Sequence, residues 1–340
     1  MVDGEFTPQE VEICLGVIGS DGSENDNLTD RLLIPSTNQT SQVTKAVKTF
    51  KMDLLEVLKD IIEETKDTRE IIPTASVKLK NESLVIVIGD LHFGQLVLDR
   101  QGNPRFDLAI AKSRMKNLKR RILKIIGHLQ KSCVIDEIVI CIIGDTVDNE
   151  GIYQTQAFHL DATLIDQLRS VTYSLWDLIS TLAAQFPIRV ITCRGNHGRV
   201  QFGAEHSNFD NVVYMQLQIL AKATGLPVSV SMSLDEYNTF HVKGHKGLIR
   251  HEAPKPDATP SAIAKYGGWY AEHHYDLLIS GHYHQVRLGM YHSKPIIRNG
   301  SLVGGNNLSE RMALNDEPKQ VMFGVNEKRA LTFFYTVDAS

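Results

Sequence analysis

Four short clusters of Asp, His and Asn, each behind an apolar run, are the residues of this chain that could do chemistry. They are Gly89-Asp90-Leu91-His92-Phe93-Gly94, Gly144-Asp145-Thr146-Val147-Asp148, Gly195-Asn196-His197-Gly198-Arg199 and Gly281-His282-Tyr283-His284. Carboxylate oxygen, imidazole nitrogen and amide oxygen without thiolate suit borderline divalent cations such as manganese, iron or zinc. The set is richer in nitrogen than magnesium or calcium usually receives. A carboxylate shared by two cations holds them about 4 Å apart, and such a pair activates a water and clamps a phosphoryl group. One Gly-Asp or one His alone means little; the force lies in four clusters in series, each after a strand-like run.

The elements that must position these residues are legible from periodicity. LVIVIG (84–89), EIVICIIG (137–144) and IRVITCRG (188–195) read as buried strands, and amphipathic patterns over about 107–131, 161–185 and 209–223 read as helices. Strand and helix in alternation predict a parallel sheet with helical crossovers. The C-terminal ends of its strands then share one edge, where ligands bind in open α/β folds. The glycine before each cluster is expected to let the backbone turn as it leaves the strand. Short strands near 228–232, 238–243, 276–280, 286–291, 295–298, 319–324 and 331–336 lie too close together for crossover helices, so the last third is expected to be antiparallel or mixed.

The order Asp-x-His, Gly-Asp-x-x-Asp, Gly-Asn-His, Gly-His and Gly-His-x-His, spanning about residues 84–302, resembles the calcineurin-like metallophosphoesterases. The resemblance implies an α/β fold, a four-layer α/β/β/α sandwich with mixed sheets, and two divalent metal ions. It implies Asp90, His92 and His284 on the first metal, Asn196, His245 and His282 on the second, and Asp145 as the bridge. His245 is taken because Gly244-His245 leaves the strand-like TFHVK; His241 within that run and His251 beyond it are the competing histidines. His197 matches the family's acid for the leaving oxygen and Asp148 its orienting partner. The other reading of Asp148 is a helix N-cap.

Two departures bear on the substrate. The protein serine/threonine phosphatases of this group carry Arg-Gly after the second motif and Glu after Gly-Asn-His; this chain has Asn149-Glu150-Gly151 and Gly198. The first motif, with Phe93 between His92 and Gly94, resembles instead the nuclease and phosphodiesterase branches, and residues 149–154 together with Gly195-Asn196-His197-Gly198-Arg199 resemble phage- and prophage-encoded members described as DNA repair exonuclease-like, which implies a nucleic acid partner. Tyr153, His159, Arg199 and His206 fall in the loops where specificity resides. Arg199, Tyr153 and His206 are the candidate substrate contacts, Arg199 as a phosphate clamp. The helix over 107–131 carries Lys112, Arg114, Lys116, Lys119, Arg120, Arg121 and Lys124, either a solvated outer face or a stripe that tracks phosphates.

Bulk properties bound the rest. The 340 residues suffice for a large core, 42% are hydrophobic and 22% charged, and the net charge of −4 announces no global basic field. Cys14, Cys133, Cys141 and Cys193 form no CxxC pair and read as free thiols of a reducing compartment. With no signal-peptide pattern and no apolar run near the roughly 18 residues of a membrane span, the expectation is a cytoplasmic protein without a membrane partner. The first 30 residues hold eight acids and no Lys or Arg. Residues 1–80 therefore read as an acidic flexible segment followed by an amphipathic helix (43–66), ahead of a catalytic domain over 81–340. That helix either packs on the domain or joins a homo-oligomer. The function expected is a two-metal phosphodiesterase acting on DNA. The alternatives are a phosphomonoesterase or small-nucleotide hydrolase, and a non-catalytic metal-binding scaffold.

Overall fold

The computed structural model describes residues 80–152, 154–204, 206–255, 259–305 and 317–340. Tyr153 and the amphipathic stretch 43–66 lie outside the described residues. Strands β1 (Lys80–Ile88), β4 (Cys133–Ile142), β5 (Ile188–Thr192) and β6 (Val228–Met232) run parallel as neighbours, and β12 (Lys319–Val325) and β13 (Phe334–Asp338) extend the sheet antiparallel beyond β1. A second sheet holds β7 (Tyr237–Val242), β8 (His245–Arg250), β9 (Leu277–Ser280), β10 (Arg287–Tyr291) and β11 (Lys294–Arg298). Its central strands β8, β9 and β11 are parallel, and its edges are antiparallel hairpins. The two-residue β2 (Val97–Leu98) and the three-residue β3 (Pro104–Phe106) form a small separate ribbon.

Alternation along each central strand divides the core. Leu84, Ile86 and Ile88 face outward with Ile138, Ile140 and Ile142 to meet helices α1 (Leu108–Leu129), α2 (Leu164–Ala183) and α3 (Phe209–Thr224). Val85, Val87, Val139, Cys141 and Ile143 face the other way and pack on Phe240, Ile249, Ile279 and Ile297 of the second sheet. Helix α4 (Pro260–His273) closes the far side, where Ala262 and Tyr266 cover Leu248, Leu278 and Ile296. The result is a helix–sheet–sheet–helix stack of four layers. Strands buried on both faces must be apolar at every position, which is why their runs read as continuous rather than alternating.

Local signals fix the helices. Asp107 caps α1 by accepting from the Ile110 amide, and Ala111, Met115, Leu118, Ile122 and Ile126 form its buried stripe. Truncating Leu118, fully buried, to Ala would cost about 2–5 kcal/mol. Asn208 caps α3, which ends at Gly225 in the left-handed region (φ 64°). No helix among the described residues is long and apolar enough to cross a membrane.

Candidate active site

Five strand ends meet at one edge. β1, β4 and β5 deliver Asp90 and His92, then Asp145 and Asp148, then Asn196 and His197; β8 and β9 deliver His251, then His282 and His284. Asp90, His92, Asp145, His282 and His284 all have φ between 45° and 72°, a region L-residues with side chains enter at a cost. The backbone around them is heavily tied. The Asp90 amide donates to the Gly144 carbonyl, the Leu91 and His92 amides donate to the Asp145 carbonyl, and the Leu302 amide donates to the Asp90 carbonyl.

Close approach explains three of the four leading glycines better than turning does, Gly89 among them, where a Cβ would sit 2.3 Å from the Ile143 Cγ1. A Cβ on Gly195 would sit 2.2 Å from the Asp145 Oδ1, and one on Gly281 2.4 Å from the Asp90 Oδ2. Only Gly144 among the four has a positive φ (86°).

The side chains form two donor groups joined at Asp145. In the first, His92 Nε2 lies 3.0 Å from His284 Nε2, and Asp90 Oδ1 lies 3.6 Å from His284 Nε2. In the second, His251 Nε2 lies 3.0 Å from Asn196 Oδ1, 3.1 Å from Asp145 Oδ2 and 3.2 Å from His282 Nδ1. The same Asp145 Oδ2 is 3.9 Å from His92 Nε2, so one carboxylate oxygen faces both groups.

Protonation logic shows what such a centre fits. His251 Nδ1 is 2.7 Å from the Ile143 carbonyl, which only accepts, so Nδ1 carries the proton and the neutral ring aims a lone pair from Nε2. Asn196 Oδ1 and Asp145 Oδ2 aim lone pairs at the same point. Either a cation or an added proton must satisfy that convergence. With the proton alone, burial opposes charge on His251, but Asp145 and Asp90 outweigh it and push its pKa up to about 10. His92 repeats the pattern: Nδ1 donates to Asp148 Oδ1 at 3.1 Å, leaving Nε2 for the centre. Imidazoles fixed by an outer acceptor are the usual arrangement of metal-binding histidines. The residues therefore fit two divalent cations, one at Asp90, His92 and His284 and one at Asn196, His251 and His282, with Asp145 between.

His245 is a correction. Lys243 (φ 50°) and Gly244 (φ 84°) make a two-residue hairpin turn, so the chain does not leave the sheet there but turns back as β8. His245 begins that strand, and its Nε2 meets the Asn326 carbonyl at 3.0 Å. Six residues on, at about 3.3 Å each, the chain reaches the opposite edge and places His251, 3% exposed, in the centre. His241 is exposed on β7 and takes no part.

Beside the centre, Asp148 Oδ1 lies 3.1 Å from both His197 Nδ1 and His92 Nδ1. Burial alone would raise the Asp148 pKa, but these bonds hold it far below the ordinary carboxylate value. Burial also opposes charge on His197, yet the Asp145 carboxylate and the Asp148 bond push its pKa up to about 9. The N-cap alternative for Asp148 does not apply, since Thr163 caps α2. Arg199 is exposed, its guanidinium donating to the Asn196 carbonyl at 2.9 Å on the rim. His206 stands on the Leu234 carbonyl, with no bond to the centre.

Two supporting residues escaped the sequence reading. Asp210, fully buried in the first turn of α3, accepts from the amides of Asp145, Thr146 and Gly195 and from the Thr146 hydroxyl, pinning two of the loops. Asn149 (φ 71°) donates to the carbonyls of His197 and Arg199 and ties the second loop to the third. The cap motif Asn208-x-Asp210 was the available signal for the first; an Asn directly after Asp148 was the only one for the second.

A family profile described as calcineurin-like phosphoesterase matches residues 83–286. No curated protein matches the chain. Among solved structures, a zinc-complexed Vps29 from Entamoeba histolytica is 15% identical, with 76% of this chain and 99% of that one covered and a TM-score of 0.33. An archaeal phosphodiesterase is 12% identical, with 75% and 99% covered and a TM-score of 0.37. A conserved uncharacterised protein from Streptococcus pneumoniae, described as a predicted phosphoesterase, is 10% identical, with 76% and 98% covered and a TM-score of 0.33.

Proposed function

The chain belongs to the calcineurin-like phosphoesterase family, and from that premise we propose that it is a metal-dependent phosphodiesterase that hydrolyses nucleic acid, with DNA as substrate and manganese as the working metal. The observation that carries the hydrolase reading is the meeting of two donor groups at Asp145 with the His197–Asp148 pair beside them. Two bound cations would supply Lewis acidity toward water and the phosphoryl oxygens. The protein's own residues do the rest. Asp148 orients the His197 ring and keeps its proton available, and His197, with 16% of its side chain exposed, delivers that proton to the leaving oxygen. Arg199 on the rim meets a non-bridging phosphate oxygen.

Preference for a polymer rests on the loops around His197. Phe158 and Phe202 are 82% and 98% exposed. Phe158 lies in the turn whose Gln156 bonds the Asp148 carbonyl, and Phe202 in the loop that begins at Arg199. Phe202 also holds a left-handed φ of 59°, a conformation an apolar side chain adopts only under constraint. Exposed aromatic faces beside a phosphoester site suit unstacked bases and serve no phosphomonoester. This is the pattern expected of a member akin to the DNA repair exonuclease-like type. Cys133, Cys141 and Cys193, buried free thiols, suit a reducing cytoplasm.

The test is cleavage of end-labelled single- and double-stranded DNA with added manganese, with Asp145→Asn as the blank. Cleavage absent from the blank is expected, and the product ladder separates exonuclease from endonuclease action. Fast turnover of phosphomonoesters with intact DNA would transfer the protein to the monoesterase class.

A further inference from the structure

We propose that the cleft between α1 and α2 is a second binding site, which holds a single-stranded polynucleotide running from the catalytic edge. Its phosphates lie on Lys112, Lys116 and Arg169, and a base lies on Tyr173. The proposal rests on the nuclease reading and extends it to substrate positioning.

The cleft encloses about 340 Å³ between the two helices. Met115, 3% exposed, forms its apolar floor. Lys112 and Lys116 stand four residues apart on one wall, Arg169 and Tyr173 four apart on the other, so each pair shares a helix face. Most of the other basic residues of α1 are spent on the fold. Arg114 donates to the carbonyls of Leu302 and Val303, Lys119 pairs with Asp177 at 2.6 Å, Arg120 bonds Asn117, and Arg121 pairs with Asp338. Lys112, Lys116 and Arg169 form no ion pair among the described residues and are exposed. Asp177 also lines the cleft but is paired with Lys119, and Asp161 lies near Lys112, so the lining keeps a net excess of positive charge, which on a chain of net charge −4 calls for a polyanion. Tyr173, 71% exposed over an apolar floor, adds a face for an aromatic group.

The place of the cleft connects it to the chemistry. The α1 N-terminus is held by Asp161, whose carboxylate accepts from the Leu108 amide, and the α2 N-terminus by Glu150, whose carboxylate accepts from the Leu164 amide. Glu150 follows Asp148 by two residues, and the Asp161 amide donates to the carbonyl of Gly94, two residues after His92, so both helices start at the catalytic edge. At 1.5 Å per residue, all four side chains lie within about 15 Å of those starts along the helix axes. A cavity this size takes about one nucleotide, too little for a duplex, whose bases are in any case not free to stack on Tyr173.

Binding of a labelled phosphorothioate oligonucleotide, which keeps its charge and resists hydrolysis, to the metal-loaded full chain tests the proposal. For Lys112→Ala/Lys116→Ala/Arg169→Ala, the slope of log affinity against log salt should fall by about 1.4, the two phosphates that flank one nucleotide at about 0.7 each. Tyr173→Ala should bind about tenfold more weakly, and Tyr173→Phe like the parent. Hydrolysis of bis(p-nitrophenyl) phosphate should stay unchanged in every variant, which also reports that they fold. An unchanged slope and affinity in the triple variant would overturn the proposal, as would equal affinity for duplex or equal displacement by poly-glutamate. If the parent hydrolyses the small diester but cleaves no DNA, the nuclease reading falls; if it cleaves DNA while the cleft variants bind normally, only the cleft is lost.

Discussion

Asp148 Oδ1 stands 3.1 Å from His197 Nδ1, and the same oxygen stands 3.1 Å from His92 Nδ1. One carboxylate thus orients both the His197 ring, the proposed acid, and an imidazole whose other nitrogen faces the two donor groups. His197→Asn removes the donor without touching a donor group of the centre. Turnover should fall about 10²- to 10⁴-fold with bound metal retained, measured by single-turnover kinetics beside metal analysis. Undiminished turnover would remove the acid assignment.

Asp148→Asn should be the more complex variant. It weakens the hold on His197 and also on His92, so it should lower both turnover and metal affinity, the latter about 10- to 100-fold as for other outer partners of metal-binding imidazoles. Titration of the metal-free variant with manganese reads the second effect. Affinity equal to the parent would mean that packing alone orients His92.

Exchange of His245 for His251 as a centre residue yields a direct contrast. His251→Ala should lose about one equivalent of metal per chain, since Asn196 and His282 then lack their third partner. His245→Ala, on the far edge of β8, should keep two. Elemental analysis of both variants decides it, and the reverse pattern would return the assignment to the Gly244-His245 turn.

How much of this was legible in the chain depended on which interactions carried the information. The doubly buried strands announced themselves, because Leu84 to Ile88 and Ile138 to Ile143 are apolar on both faces. Their terminal Asp, Asn and His residues followed from parallel topology. His251 was hidden because LIRH offers no glycine before the ligand, whereas Gly244-His245 imitates the pattern; only pairing of β7 with β8 shows Gly244 to be a hairpin turn. Helix α4 was hidden by Gly267-Gly268 in its middle, although Thr259 before Pro260 is a legible helix start. The strand expected over 331–336 begins three residues later, at Phe334, because the turn at 326–329 precedes it. Asp210 is marked in the chain only as part of the cap motif Asn208-x-Asp210, since its role consists of bonds to residues 15 to 65 positions away.

Asp210 also supports the last prediction. Its carboxylate is buried, touches no cation among the described residues, and accepts from three amides and a hydroxyl. Burial and the charge of Asp145 push its pKa up, while the four donors oppose that rise and favour the ionised form. Asp210→Asn replaces one acceptor oxygen with an NH₂ that faces amides, so at least one buried donor is left unpaired. Stability should fall by about 1–3 kcal/mol, read by urea denaturation of metal-free protein so that lost metal does not contribute. Because the same bonds seat Asp145 and Gly195, manganese affinity should fall with it, whereas Leu118→Ala, remote on α1, should destabilise the fold and leave affinity intact. Equal loss of affinity in both variants would mean that Asp210 serves the fold alone.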